Sequence, residues 1–187
     1  MVSHMDQGDT RRKKTRLLLL VLVGCACLVV LVLGFALLTS SSGLLRARAA
    51  ANEASAITSL RAVLSAQATF AASCGHAYYA RSLTTLGRRP KDGGEAFLPP
   101  ELAGVDRVRR SQYEIWIEAP TTTEVAQACN GAGPNELTRR YVVRAEPVDG
   151  GGTRYFAMTE RGDIYQSSRP VRFGADGRAE PPAAPLF

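Results

Sequence analysis

Leu44 to Gly75 reads LLRARAAANEASAITSLRAVLSAQATFAASCG, and the rest of the chain is organised around it. The stretch is rich in Ala, Leu, Arg and Glu, holds no proline, and has no glycine before its last residue. Ile57, Leu60, Val63, Leu64 and Phe70 recur at helical spacing, with small alanines filling the same stripe. The pattern predicts one long amphipathic helix that continues an apolar segment before it and carries a small strand-rich domain after it.

The apolar segment is Leu17 to Leu38, LLLLVLVGCACLVVLVLGFALL, which has no charged residue. About 20 such residues cross a bilayer as a helix. The basic run Arg11-Arg12-Lys13-Lys14-Thr15-Arg16 stands before it and Thr39-Ser40-Ser41-Ser42 after it. By the positive-inside rule this places the N-terminus in the cytoplasm and the domain on the other side. The expected organisation is a cytoplasmic basic tail (1–16), a transmembrane anchor (17–38), an α+β domain (39–173) and a Pro-rich C-terminal tail (174–187). Two rival readings stand beside the plain anchor. A cleaved signal peptide suits the basic start, but the apolar run is long for one and no clean small-x-small site comes after it. A lipoprotein signal is suggested by Leu22-Val23-Gly24-Cys25, with Cys25 as the residue to be lipidated. The long apolar continuation from Ala26 to Leu38 fits a span better than a tether.

The formal charge of +6 has a simple source in part, since the N-terminal basic run is a topology signal. The remaining arginines are scattered among carboxylates, as in Arg88/Arg89, Arg107/Arg109/Arg110 and Arg139/Arg140. This reads as a solvated surface, and no nucleic acid partner is expected.

After Gly75 the pattern changes from helical to alternating. Arg88 to Pro100, RRPKDGGEAFLPP, is a loop whose Phe97-Leu98 pair can tuck into a core. Strands are expected at Gln112–Glu118, Arg140–Glu146, Arg154–Thr159 and Ile164–Ser167. In the first, Tyr113, Ile115 and Ile117 share the apolar face, and Trp116 lies with the polar set. The last two form a hairpin through Glu160-Arg161-Gly162-Asp163, with glycine supplying the positive φ. The fold class is therefore α+β: a long N-terminal helix, transmembrane then amphipathic, packed on a small antiparallel sheet of three to four strands. The tail GADGRAEPPAAPLF is expected to be poorly ordered, with Leu186-Phe187 able to dock.

Leu44 to Ile57, Ser59-Leu60-Arg61 through Gln67 and Phe70, and Ser73-Cys74-Gly75 with Tyr78-Tyr79-Ala80 and Ser82-Leu83 to Leu86-Gly87 together carry a family resemblance. The segment looks like the N-terminal helix, and the first residues after that helix, in type IV pilin-like proteins and type II secretion pseudopilins. The resemblance is close from Leu44 to about Gly87 and looser beyond. It implies a bacterial inner-membrane protein, single-pass, with a periplasmic or extracellular domain. The implied partners are the lipid bilayer, other pilin-like subunits and the secretion or pilus machinery. The chain departs from the family where processing and assembly are encoded. The cleavage glycine falls on Leu20, the phenylalanine after it on Val21, and the buried glutamate of the mature helix on Cys25. Gly34 matches a helix glycine, and the usual proline is Ser42. A carboxylate inside a membrane is costly and usually functional, so its replacement by cysteine implies that this function has been dropped. A tethered binding or accessory module that does not polymerise is the alternative.

Of four cysteines, Cys25 and Cys27 lie in the anchor and Cys74 and Cys129 in the domain. Outside the cytoplasm the second pair is expected to form a disulfide, joining the end of the long helix to the loop between the first two strands. No catalytic or cofactor site is expected, and no metal site, because zinc would need more ligands than Cys74 and His76 supply. A bonded Cys74 cannot serve as a nucleophile with His76. Glu160 and Asp163 read as turn residues, and Asp176 has too few carboxylates nearby for a calcium loop.

Overall fold

A computed structural model of the chain describes residues 6–121, 127–174 and 177–186, with the side chains of residues 6–18, 32–33 and 35–42 outside that description. Helix α1 spans Asp6–Ser73. Two compact units, Met1–Ala47 and Arg48–Phe187, divide within it. Among the described residues no helix is long and apolar enough to cross a membrane. The expected span 17–38 falls in part on side chains outside the described set. Those inside it between Leu19 and Leu31 are exposed, the large ones between 54% at Val23 and 70% at Leu20 and Leu31.

The second unit is α+β. The Arg48–Ser73 part of α1 lays a stripe of Ala56, Leu60, Val63, Ala66 and Phe70 into the core. Opposite it stands a six-stranded antiparallel sheet in the order β2-β3-β5-β6-β7-β8. Its strands are β2 (Arg107–Arg110), β3 (Tyr113–Glu118), β5 (Val142–Pro147), β6 (Tyr155–Thr159), β7 (Ile164–Ser167) and β8 (Ala184–Pro185). A second sheet pairs β1 (Tyr79–Ala80) with β4 (Leu137–Thr138), and a short helix α2 (Leu83–Gly87) comes after β1. The register sets Ile115 opposite Ala145 and Ile117 opposite Val143, then Val143 opposite Met158 and Ala145 opposite Phe156. These residues form the inner face and are buried with the helix stripe. Period-two alternation along each strand sends Glu114, Trp116, Arg144 and Tyr165 to the outer face. Leu98 is buried, and Phe97 meets Phe70 edge-to-face at 5.2 Å, so the loop after α2 closes the end of the core.

Two turns require glycine. Gly162 takes φ +87 in the β6–β7 hairpin, a conformation that a Cβ disfavours. At Gly152 an added Cβ would sit 2.2 Å from Tyr113 Oη, because the β5–β6 turn folds directly over that ring.

The sheet is larger than the three to four strands expected from the sequence. The missing strands have physical reasons for being silent. β1, β4 and β8 are two residues long, too short to show alternation. β2 reads RVRR and is an exposed edge strand, so it carries charge where a buried strand would carry apolar residues. The tail also differs from expectation. β8 pairs with β7 through Gln166↔Ala184 and Tyr165↔Pro185. Leu186 donates its N–H to Ile164 O and is partly buried on the core. Proline is tolerated there because the strand is at a sheet edge, with one side free of ladder bonds.

Candidate functional site

The polar chemistry of the second unit is concentrated at four places. The first two tie α1 to the rest of the fold. Glu53 is only 5% exposed. Its carboxylate accepts hydrogen bonds from Thr153 N (3.0 Å), Thr153 Oγ1 (3.1 Å) and Arg154 Nε (2.8 Å), with a further bond and ion pair to Arg154 Nη2. Burial pushes this carboxyl up, but the Arg154 and Thr153 bonds and the Arg154 charge outweigh it and hold the group below its ordinary range. Beside it, Asn52 donates to Gly151 O at 2.7 Å. Fourteen positions along α1, Gln67 is fully buried. Its amide donates to Ala80 O at 2.7 Å and accepts from Ala80 N at 2.9 Å, so the side chain mimics a strand partner for β1.

The third place is the disulfide end. Cys74 and Cys129 are bonded, as expected from the sequence, with their Cα atoms 4.9 Å apart. Cys129 N also donates to Cys74 O at 3.2 Å. Nearby, Arg88 grips Glu136 with an ion pair at 2.6 Å, and Glu136 accepts from Gly133 N at 3.1 Å. The Arg88 guanidinium holds the Glu136 carboxyl below its ordinary range, against the opposing effect of burial.

The fourth place is a cleft of about 890 Å³ on the outer side of the sheet. Its floor comes from Val142 of β5, Thr159 at the end of β6 and Tyr165 of β7. The chain after β7 crosses this face. Arg144 donates to Val171 O at 2.5 Å and pairs with Glu118. Phe173 meets Tyr165 edge-to-face at 5.7 Å and forms an apolar wall. Arg140 also lines it, as do Glu160, Arg161 and Asp163 of the β6–β7 turn. Two residues of the lining, Tyr141 and Thr159, have hydroxyls that are closed off from the cleft and have no hydrogen-bond partner among the described residues. Burial raises the Tyr141 phenol above its ordinary range, with Tyr79 and Glu160 adding to the effect.

Of the residues singled out in the sequence, Cys74 and Cys129 come together, and Cys25 and Cys27 are free and exposed. His76 is exposed at the end of the helix, with φ 50. Glu160 and Asp163 flank the hairpin turn and also line the cleft. Asp176 lies outside the described residues. Trp116 is half-buried on the outer face, and the Arg107 guanidinium stacks on it at 4.1 Å. Among the described residues there is no group of three or more His, Cys, Asp or Glu able to hold a metal ion. A search for apolar periodicity alone misses Glu53 and Gln67 as core residues. Their signal is present all the same, because 53, 56, 60, 63, 67 and 70 advance by three and four, which puts both polar groups on the stripe of Leu60, Val63 and Phe70. Compared with protein-family models, with curated proteins and with solved structures, the chain matches none.

Proposed function

We propose that the chain is a non-enzymatic, membrane-anchored pilin-like protein, a minor pilin or pseudopilin-like component of a type IV pilus or type II secretion system. In this reading 17–38 is a single span in a bacterial inner membrane. The N-terminus is cytoplasmic and the α+β domain stands on the far side. The observation that carries the anchor is the run of exposed apolar side chains from Leu19 to Leu31, which in water would be a large uncompensated patch. The Cys74–Cys129 bond supports an oxidising location for the domain. The helix motif from Leu44 to Gly87 supports the family role, and the packing of its stripe on an antiparallel sheet agrees with it. The non-enzymatic reading is supported by Cys74, which is held in a disulfide and cannot act as a nucleophile with His76.

The second reading is a tethered accessory module that does not polymerise, with Cys25 as a lipidation point. It is favoured by Leu20 and Cys25, which stand where the family has its cleavage glycine and assembly glutamate. Intact mass and N-terminal sequencing of protein extracted from membranes separate the readings. A start at Val21 with a methylated amine establishes pilin processing. An unprocessed N-terminus establishes the plain anchor, and a diacylglyceryl group on Cys25 the lipoprotein. Full-length protein recovered in the soluble fraction overturns the membrane reading altogether.

A further inference from the structure

The six-stranded sheet ends at β2 (Arg107–Arg110) on one side and at β8 (Ala184–Pro185) on the other. β2 and β3 join through a two-residue turn in which Ser111 and Gln112 both take positive φ, 46° and 59°, the geometry of a type I′ hairpin. Such a turn is closed by a hydrogen-bonded pair, here Arg110 with Tyr113. Hydrogen-bonded pairs alternate along an antiparallel ladder, so the next one is Val108 with Ile115. The other side of β3 has the matching phase. Val148 N–H donates to Gln112 O at 2.9 Å, which turns the backbone groups of Glu114 and Trp116 toward β5 and those of Tyr113 and Ile115 toward β2. The N–H and C=O groups of Arg107 and Arg109 therefore point away from β3. Among the described residues no backbone group pairs with them. β2 is exposed apart from Val108, which is half-buried against the core. A row of free N–H and C=O groups is matched by one kind of partner, an extended chain.

A second copy of the chain fits this edge poorly. Two β2 strands would set arginine against arginine, and β8 is two residues long and ends on proline, which has no N–H. The side chains of β2 select an acidic partner instead. Arg107 and Arg109 pair with Glu114 and Asp149, yet their side chains stay 55% and 54% exposed, and each fork keeps N–H groups for a further acceptor. Asp106, just before the strand, is turned to α2, where its carboxylate accepts from Thr84 N at 3.4 Å. Arg110 is exposed and among the described residues has no ion pair or hydrogen bond. It shares a face of the strand with Val108. We infer that the β2 edge takes an extended acidic segment of another protein as an added strand. The backbone of that segment pairs with Arg107 and Arg109, an apolar residue lies beside Val108, and carboxylates lie beside the arginines. The surface belongs wholly to the Arg48–Phe187 unit, so it does not depend on how the chain is anchored or whether it assembles.

The test adds the peptide acetyl-Thr-Glu-Val-Glu-Val-Thr-amide to the full chain in detergent micelles and follows residue-resolved amide hydrogen exchange. Exchange slows at Arg107 and Arg109 and saturates below about 5 mM peptide, while Val108 and Arg110, already paired with β3, change little. Lysine in place of both glutamates weakens binding by about fivefold or more. N-methylation of one alternate set of peptide residues abolishes binding and N-methylation of the other set leaves it, since only one edge of the added strand faces β2. Arg109→Pro removes an outward N–H at an edge position that tolerates proline. It weakens binding about tenfold beyond Arg109→Ala, which removes the side chain alone. Equal thermal unfolding midpoints for these two variants show that β2 is intact, and if the proline variant is unfolded the N-methylated peptides decide. The inference is overturned if Arg107 and Arg109 exchange as slowly as Val108 and Arg110 before peptide is added, or if no protection appears at about 5 mM. It is overturned as well if both N-methylated peptides bind like the parent, or if the lysine peptide binds equally well.

Discussion

Glu53→Gln tests the clamp between α1 and the β5–β6 turn. Glutamine keeps the length and one oxygen, so the Thr153 N–H and O–H retain an acceptor. What disappears is the charge-assisted pair with Arg154. A hydrogen bond to a charged group is worth about 1.5–3 kcal/mol. The Arg154 side chain is 43% exposed, so solvent screens its share, and it keeps Gln166 Oε1 at 2.7 Å. The expected loss at neutral pH is therefore about 2 kcal/mol for Gln, rising to about 4 kcal/mol for Ala, which also strands the Thr153 donors. The loss depends on pH in a defined direction. The folded-state carboxyl lies below its ordinary value of 4.5. Its stabilising effect is thus complete above about 4.5 and fades as pH falls through the lower folded value. Urea titration of parent and variant, read by the fluorescence of the single tryptophan Trp116, gives both stabilities. Subtracting them at each pH removes the other carboxylates from the comparison. The gap narrows as the solution is acidified below 4.5. A gap that stays constant, widens, or is below about 0.5 kcal/mol at neutral pH refutes the clamp.

Gly152→Ala places a Cβ 2.2 Å from the buried Tyr113 Oη and is expected to cost about 2–3 kcal/mol. Gly133→Ala, with open space and φ −86, stays within about 0.5 kcal/mol; equal melting temperatures for the two variants would show that the turn does not fold over Tyr113. Cys74→Ser with Cys129→Ser opens a bridge of sequence separation 55, for which the chain-entropy relation gives about 4 kcal/mol. The loss appears as a lowered urea midpoint, and a parent that unfolds identically with and without reductant would contradict it. Gln67→Leu leaves both Ala80 backbone groups without their partner, an expected cost of about 3 kcal/mol despite the gain in apolarity. Faster amide exchange at Ala80 than in the parent is the accompanying local signature.

The parts of this fold that were legible in the sequence are those where one residue type repeats at one period. The stripe through Leu60, Val63 and Phe70 announced the helix, and Tyr113, Ile115 and Ile117 announced the face of β3 that is buried. The disulfide was legible as the pairing of the two cysteines that lie outside the apolar segment. Elements held by backbone pairing alone left little trace. β2 is three arginines and a valine, and β1, β4 and β8 lack the length for a pattern. The cleft was illegible for a different reason. Arg140, Tyr141, Thr159, Arg161 and Tyr165 come from two hairpins and reach one space only through strand pairing, and Phe173 arrives from a segment that crosses the sheet. Local periodicity carries no information on such a meeting.

The buried polar groups on α1 explain how an alanine-rich helix finds one position on its sheet. Ala56, Ala62 and Ala66 present a shallow surface, and small side chains interlock weakly, so apolar packing alone distinguishes poorly between registers one turn apart. A slide of one turn moves each side chain about 5.4 Å along the axis. That displacement would take Glu53 away from Thr153 and Arg154 and Gln67 away from both backbone groups of Ala80. Each loss strands a buried polar group, which costs far more than the alanine contacts differ between registers. The two pins stand about 21 Å apart along the helix, by the rise per residue. Two fixed points at that spacing define both the translation of the helix and its rotation about its axis. Leu60, Val63 and Phe70 between and beyond them then supply the burial energy in the one register where both pins are satisfied.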